Sequence, residues 1–142
     1  MFFTELMRTL ILAGKKNQTR RKWKKPHVKV GGIYQVRISQ YKKGYHFLIK
    51  ILSMKKQRLD EMTEDDAREE GFEPYYTEGE EIWGALKSFK SYWIDLNGSF
   101  NPKEEVYAIR FCMVSEAEKK LYDDLKVQEK KERQKKAMED EV

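Results

Sequence analysis

Trp23 stands among five cations: Arg20, Arg21 and Lys22 precede it, and Lys24 and Lys25 follow. An indole can stack on a nucleobase while flanking cations hold phosphate, as single-strand binders do. The same ring can equally shield the edge of a sheet. The cations belong to a wider pattern. Between Glu5 and Asp60 lie 54 residues with no acid, and 16 of them are Lys or Arg. From Asp60 to Glu81 the sign reverses, with 11 acids against Arg68 alone. A folded positive face is a match for a phosphate backbone. The plainer alternative is that the acidic stretch folds against the basic one and neutralises it. Lys15, Arg20, Arg21, Trp23, Lys24 and Lys25 are the candidate nucleic-acid-binding residues, and Tyr75 and Tyr76 are weaker stacking candidates.

Other reactive types are poorly placed. His27 and His46 have no Cys or second His at ligand spacing, so no metal site is expected. Cys112 alternates with core-facing neighbours on a strand and is expected to be buried rather than reactive. A single cysteine among 142 residues excludes an intrachain disulfide. No apolar run reaches the roughly 18 residues of a membrane span, and the start lacks the basic flank of a signal peptide. An intracellular, cytoplasmic protein without a cofactor is expected. The chain is 39% hydrophobic and 37% charged, so part of it is expected to lie outside a packed core.

The elements that must position these residues follow from periodicity. Phe3, Leu6, Met7, Leu10 and Ile11 recur at helical spacing, with Thr4 as a cap and Gly14 as a stop, which predicts a helix over 5–13. Lys15 to Lys25 is a polar segment with no element assigned. Ile33 to Ile38 alternates as a strand, Tyr41 to Tyr45 is a turn, and Phe47 to Met54 is a strand buried on both faces. Thr63 caps a short acidic helix that ends at Gly71. Ile82, Leu86, Phe89 and Trp93 form one stripe and predict a second helix over 79–95, with Trp83, Phe89 and Trp93 in the core. Asn97-Gly98 is a turn, and Glu105 to Val114 is a strand with Tyr107, Ile109, Phe111 and Met113 on one side. The tail from Ser115 carries eight basic and nine acidic residues and reads as a solvated helix. The class is α+β, a small antiparallel sheet or barrel with flanking helices and a charged C-terminal helix.

Four segments resemble one family in order. Gly14, Lys16, Thr19 and Arg21 fit a G-x-K-x-x-T-x-R string after a helix. Lys29-Val-Gly-Gly-Ile-Tyr-Gln-Val is similar to an entry into a strand. Leu59 to Phe72 resembles a helix ending in E-G-F, and Trp93 to Phe111 resembles an aromatic stretch closing on a strand. Together they resemble the ASCH domain of the PUA-like superfamily, over 1–114, with 115–142 left as the charged helical tail. The resemblance implies a small β-barrel-like fold, a cleft beside it, and RNA or a nucleoside as ligand.

Some small ASCH proteins hydrolyse acetylated cytidine with a lysine, a threonine and a glutamate, and the match carries those roles onto Lys16, Thr19 and Glu70. Asn17 stands where the family often has a threonine, which leaves Thr19 as the hydroxyl. Such a hydroxyl needs a base, and Lys16 is one only with a depressed pKa. Lys16 and Glu70 alternatively form a structural ion pair. The leading expectation is an RNA-binding module. The alternative is a hydrolase, either an amidohydrolase on acylated cytidine or a ribonuclease. A protein partner held by the tail is the third expectation.

Overall fold

The computed structural model describes residues 1–39 and 44–140. Helix α1 (Glu5–Leu12) begins where the Thr4 hydroxyl accepts from the Met7 N–H, and it buries Met7 and Ile11. Strand β1 (Gln18–Arg21) follows, in the segment to which the sequence assigned no element. Strands β2 (Ile33–Val36), β3 (Phe47–Arg58) and β6 (Glu105–Met113) complete a four-stranded antiparallel sheet in the order β1-β6-β3-β2, curled into half a barrel. The expected turn at Tyr41 to Tyr45 lies largely outside the described residues.

The sheet places β1 at an edge, with Thr19 opposite Ile109 and Arg20 opposite Ala108. Its alternating side chains therefore reach two different layers. One layer holds Phe3, Met7 and Ile11 from the N-terminal helix region against Ile49, Ile51, Ile109 and Phe111. The other holds Leu59, Met62, Ala67, Phe89, Trp93 and Val106. The second layer is closed by α2 (Glu64–Glu69) and α3 (Ala85–Asn97). A capping box joins Thr63 and Asp66 at the start of α2, and Gly71, at φ +99°, turns the chain out of it.

Three expectations need correction. The helix over 79–95 starts only at Ala85. Ahead of it, β4 (Tyr75–Thr77) and β5 (Glu80–Trp83) form a hairpin, so Trp83 lies on a strand, stacked on Tyr75 at 4.7 Å. The hairpin turn at Glu78 and Gly79, both with positive φ, and Gly84 as the helix cap explain the later start. Ile82 is exposed, while Phe89 and Trp93 keep the core stripe. Cys112 is exposed, because it shares its side of β6 with solvent-facing Arg110. Met113, at the end of the same strand, is also largely exposed.

Helix α4 (Glu116–Asp140) runs on from β6 for 25 residues and buries none of them. Near its start Asp123 accepts from the Tyr45 hydroxyl at 2.5 Å, and Glu118 lies 3.5 Å from Lys50. No helix among the described residues is long and apolar enough to cross a membrane.

Candidate functional site

The edge position of β1 opens a cleft between the two layers, with a volume of about 420 Å³. Its apolar walls are Phe3, Phe72, Phe89, Tyr92 and Trp93, and its polar lining includes Lys16, Thr19, Arg20, Arg21 and Glu70. Lys16 and Thr19, and Glu70 from a distant part of the chain, thus line one cavity.

Two local features hold Lys16 and Glu70 in place. Glu70 is the C-terminal cap of α2, with its N–H on the Asp66 carbonyl. Lys16 sits between the end of α1 and the start of β1, and its ammonium donates to the carbonyls of Gln18 at 2.8 Å and Glu70 at 3.0 Å. The same ammonium is 3.8 Å from Glu70 Oε1. The other carboxylate oxygen of Glu70 accepts from Arg20 Nη1 at 2.7 Å. Burial is the largest influence on Lys16 and pushes its pKa down to about 8, aided by Arg21 and Arg20 and opposed by Glu70.

Arg20 is a buried hub rather than an outward-facing cation. Its Nη1 also donates to Gln18 Oε1 at 3.0 Å, its Nη2 donates to Gln57 Oε1 at 2.8 Å, and Asp66 lies 3.5 Å away. The Gln18 amide donates in turn to Asp66 and to Glu69, and Glu69 pairs with Arg110 at 2.9 Å. Burial pushes the Asp66 carboxyl up, but the Thr63 backbone N–H, the Gln18 amide and Arg20 outweigh it and hold the carboxyl below its ordinary value. Asp66 of α2 and its cap Glu70 therefore neutralise two cations of the basic segment, Arg20 and Lys16.

Arg21 differs from the other cleft cations. Its Nε donates to Thr19 Oγ1 at 3.3 Å and its Nη2 to the Phe2 carbonyl at 2.9 Å, while its guanidinium lies over the Phe3 ring at 4.6 Å. No carboxylate pairs with it among the described residues. Burial lowers its pKa, against the pull of Tyr92 and Glu70. Lys22, also on the cleft, pairs with Glu104 at 3.1 Å.

The remaining candidates lie elsewhere. Trp23 is half-buried, stacked on His27 at 4.5 Å and tilted against Tyr107 at 6.3 Å, and it does not line the cleft. Lys24 and Lys25 are exposed beside it. Lys15 is exposed on a neighbouring cavity. Tyr75 and Tyr76 are exposed on β4. Among the described residues no three His, Cys, Asp or Glu side chains form a group able to hold a metal. Sequence reasoning missed Gln18, Gln57 and Tyr92. A lone glutamine or tyrosine carries no spacing signal, and only the fold brings these to the network and the cleft wall.

A family model described as "ASCH domain" matches residues 1–115. No curated protein matches the chain. Two solved structures share its fold at low identity, and a third is also similar. Protein EF3133 from Enterococcus faecalis V583 is 17% identical, with a TM-score of 0.52 over 78% of this chain and 68% of that one. A mutant of the ZmASCH protein from Zymomonas mobilis is 13% identical, with a TM-score of 0.51 over 78% and 64%. An ASCH domain from Lactobacillus crispatus JV V101 is 20% identical, with a TM-score of 0.48 over 76% and 70%.

Proposed function

The chain belongs to the ASCH domain family, and on that premise we propose that its cleft recognises RNA, or a modified nucleoside derived from it, by enclosing one nucleobase. The observation that carries this reading is the pairing of aromatic walls with a buried polar lining in a cavity of about 420 Å³. That size lies within the roughly 300–1,000 Å³ of small-ligand sites. Phe72, Tyr92 and Trp93 offer flat apolar surface to a base, and Thr19, Lys16 and Arg21 offer polar groups to its edge or to the sugar-phosphate. Arg21 supports an electron-rich ligand in particular. A mostly buried cation without a carboxylate partner is costly unless a ligand supplies the countercharge.

A second reading is favoured by one further observation, the depressed pKa of Lys16 in a cleft that a threonine hydroxyl also lines. In that reading the chain hydrolyses acylated cytidine. The neutral Lys16 amine takes the Thr19 proton as Thr19 Oγ1 attacks the acyl carbon, and the carbonyl oxygen becomes an oxyanion facing Arg21. The C–N bond then breaks, and the cytidine amine leaves with the proton returned by Lys16. Water, deprotonated in the same way, releases the acyl group from Thr19. Glu70 orients Lys16 by its carbonyl and carboxylate. Turnover of single-stranded RNA instead of acylated cytidine would assign the alternative hydrolase activity, a ribonuclease.

Calorimetric titration of the protein with cytidine, acylated cytidine and single-stranded RNA, with turnover followed on the latter two, tests both readings. Binding without turnover is expected from the recognition module, and turnover on acylated cytidine from the hydrolase. Failure of all three ligands to bind would remove the proposal.

A further inference from the structure

A second cavity, of about 450 Å³, shares Phe72 with the cleft. The same two backbone segments build both. Lys16 and Glu70 line the cleft, their chain neighbours Lys15 and Gly71 line the second cavity, and Phe72 lines both. Consecutive Cα atoms are about 3.8 Å apart, so the two cavities are neighbours, with Phe72 common to both. Its ring is itself fixed, edge-on to Phe89 at 5.4 Å and tilted against Tyr92 at 5.3 Å.

The chemistry of the second cavity is that of a phosphate and a flat ring. Lys15 is exposed and has no carboxylate partner among the described residues. Arg68 is exposed, with only Asp65 of its own helix near it at 3.8 Å. Tyr76 is 58% exposed and no ring among the described residues is stacked on it, whereas its neighbour Tyr75 is occupied by Trp83. Among the described residues, Glu73 is the single carboxylate on the wall, against two cations.

We infer that this cavity is the subsite for the nucleotide next to the one whose base fills the cleft. Lys15 and Arg68 hold the phosphodiester between the two, Tyr76 stacks under the second base, and the ligand is a single RNA strand rather than a free nucleoside. The inference rests on the cleft being a nucleobase site. Cations along a backbone with an aromatic platform beside them form a sequence-tolerant single-strand site. The shared Phe72 wall sets the step from one base to the next.

Titration of the full chain with the four ribonucleosides and the matching dinucleoside monophosphates tests this. The best dinucleotide is expected to bind at least tenfold more tightly than its nucleoside. Tyr76→Ala, and Lys15→Ala with Arg68→Ala, are each expected to erase that gain and leave nucleoside affinity unchanged. All three side chains are exposed, so the fold should survive, as circular dichroism would verify. Lys103→Ala, an exposed cation lining neither cavity, should change nothing. A dinucleotide no tighter than the nucleoside, or a gain that the variants leave intact, overturns the subsite while the cleft reading stands. Variants that weaken both ligands equally overturn it as well. If neither nucleosides nor dinucleotides bind, the cleft reading falls with it.

Discussion

Arg20 Nη1 lies 2.7 Å from Glu70 Oε2, and the two side chains are 1% and 4% exposed. The link joins an edge strand to the end of a six-residue helix across 50 positions of sequence. Removing one partner of a buried pair leaves the other charge uncompensated, at a cost of about 3–5 kcal/mol. Arg20→Ala is expected to lose that much in urea denaturation. Arg20→Lys should recover little, because Gln18, Glu70 and Gln57 are served by two separate nitrogens of the guanidinium. A loss below about 1 kcal/mol would show that the pair does not hold α2 to the sheet.

Lys16 makes stability depend on pH with a defined sign. Its pKa is about 8 in the folded chain against an ordinary value of 10.5. Between those values the unfolded chain binds more protons, so stability rises with pH across that window. The contribution is complete above the unfolded value and is lost as pH falls through the folded one. Lys16→Met removes it. The melting temperature of the unmodified protein, relative to this variant, should therefore climb between about pH 8 and pH 10. Parallel curves for the two proteins would contradict the assignment.

The hydrolase reading predicts a pattern. Thr19→Ala, Lys16→Ala and Glu70→Gln should each abolish turnover of acylated cytidine. The double change at 16 and 19 should cost little more than either single one, since residues acting as a unit are non-additive. Nucleoside binding should largely survive Thr19→Ala, because the hydroxyl acts mainly in the transition state. Additive losses would point to independent binding contacts instead.

Gly71 tests how tightly the turn after Glu70 is built. A Cβ there would meet Leu10 Cδ1 at 2.9 Å and Lys16 Cβ at 3.4 Å, at a φ of +99°. Gly71→Ala is expected to cost about 1–2 kcal/mol from backbone conformation alone, plus the displacement of Leu10, and to weaken nucleoside binding. Gly79→Ala has a similar φ but open space around it, so it should carry only the backbone share. Equal losses in thermal denaturation would mean that Leu10 yields freely.

Residues 128–142 should be dispensable for folding. Helix α4 buries no residue, and its contacts to Tyr45 and Lys50 come from Asp123 and Glu118, near its start. Truncation after Val127 is expected to leave the melting temperature unchanged. A drop of several degrees would reveal a docking face.

Much of this fold was legible where one local signal agreed with the core. Thr4 and the stripe through Met7 and Ile11 set α1, and Thr63 with Asp66 set α2. Strand β1 was not legible, because Gln18 and Arg20 are polar yet buried and are satisfied by residues about 50 positions away. Strand β5 was hidden because Ile82 continues the helical spacing of Leu86, Phe89 and Trp93. Strand β3 outran its expected end at Met54 because an irregularity between Ile51 and Ser53 leaves Leu52 unpaired, and the in-out alternation changes phase there. At the site, the family pattern points to Lys16, Thr19 and Glu70, which share the cleft, while Phe89 and Trp93 are legible as core and also line it. The cluster around Trp23 was read from composition, and composition does not say which cations fold inward.

Helix α4 has a practical consequence for handling the protein. Twenty-five residues at about 1.5 Å each make a rod of about 37 Å. A domain of roughly 115 residues has a radius of gyration of only about 13 Å, so the rod is longer than that domain's radius by far. A single copy would tumble anisotropically and elute from a sizing column ahead of a sphere of 17.1 kDa. Elution position alone would then mimic a dimer, and molecular mass has to come from light scattering or sedimentation equilibrium, which do not depend on shape.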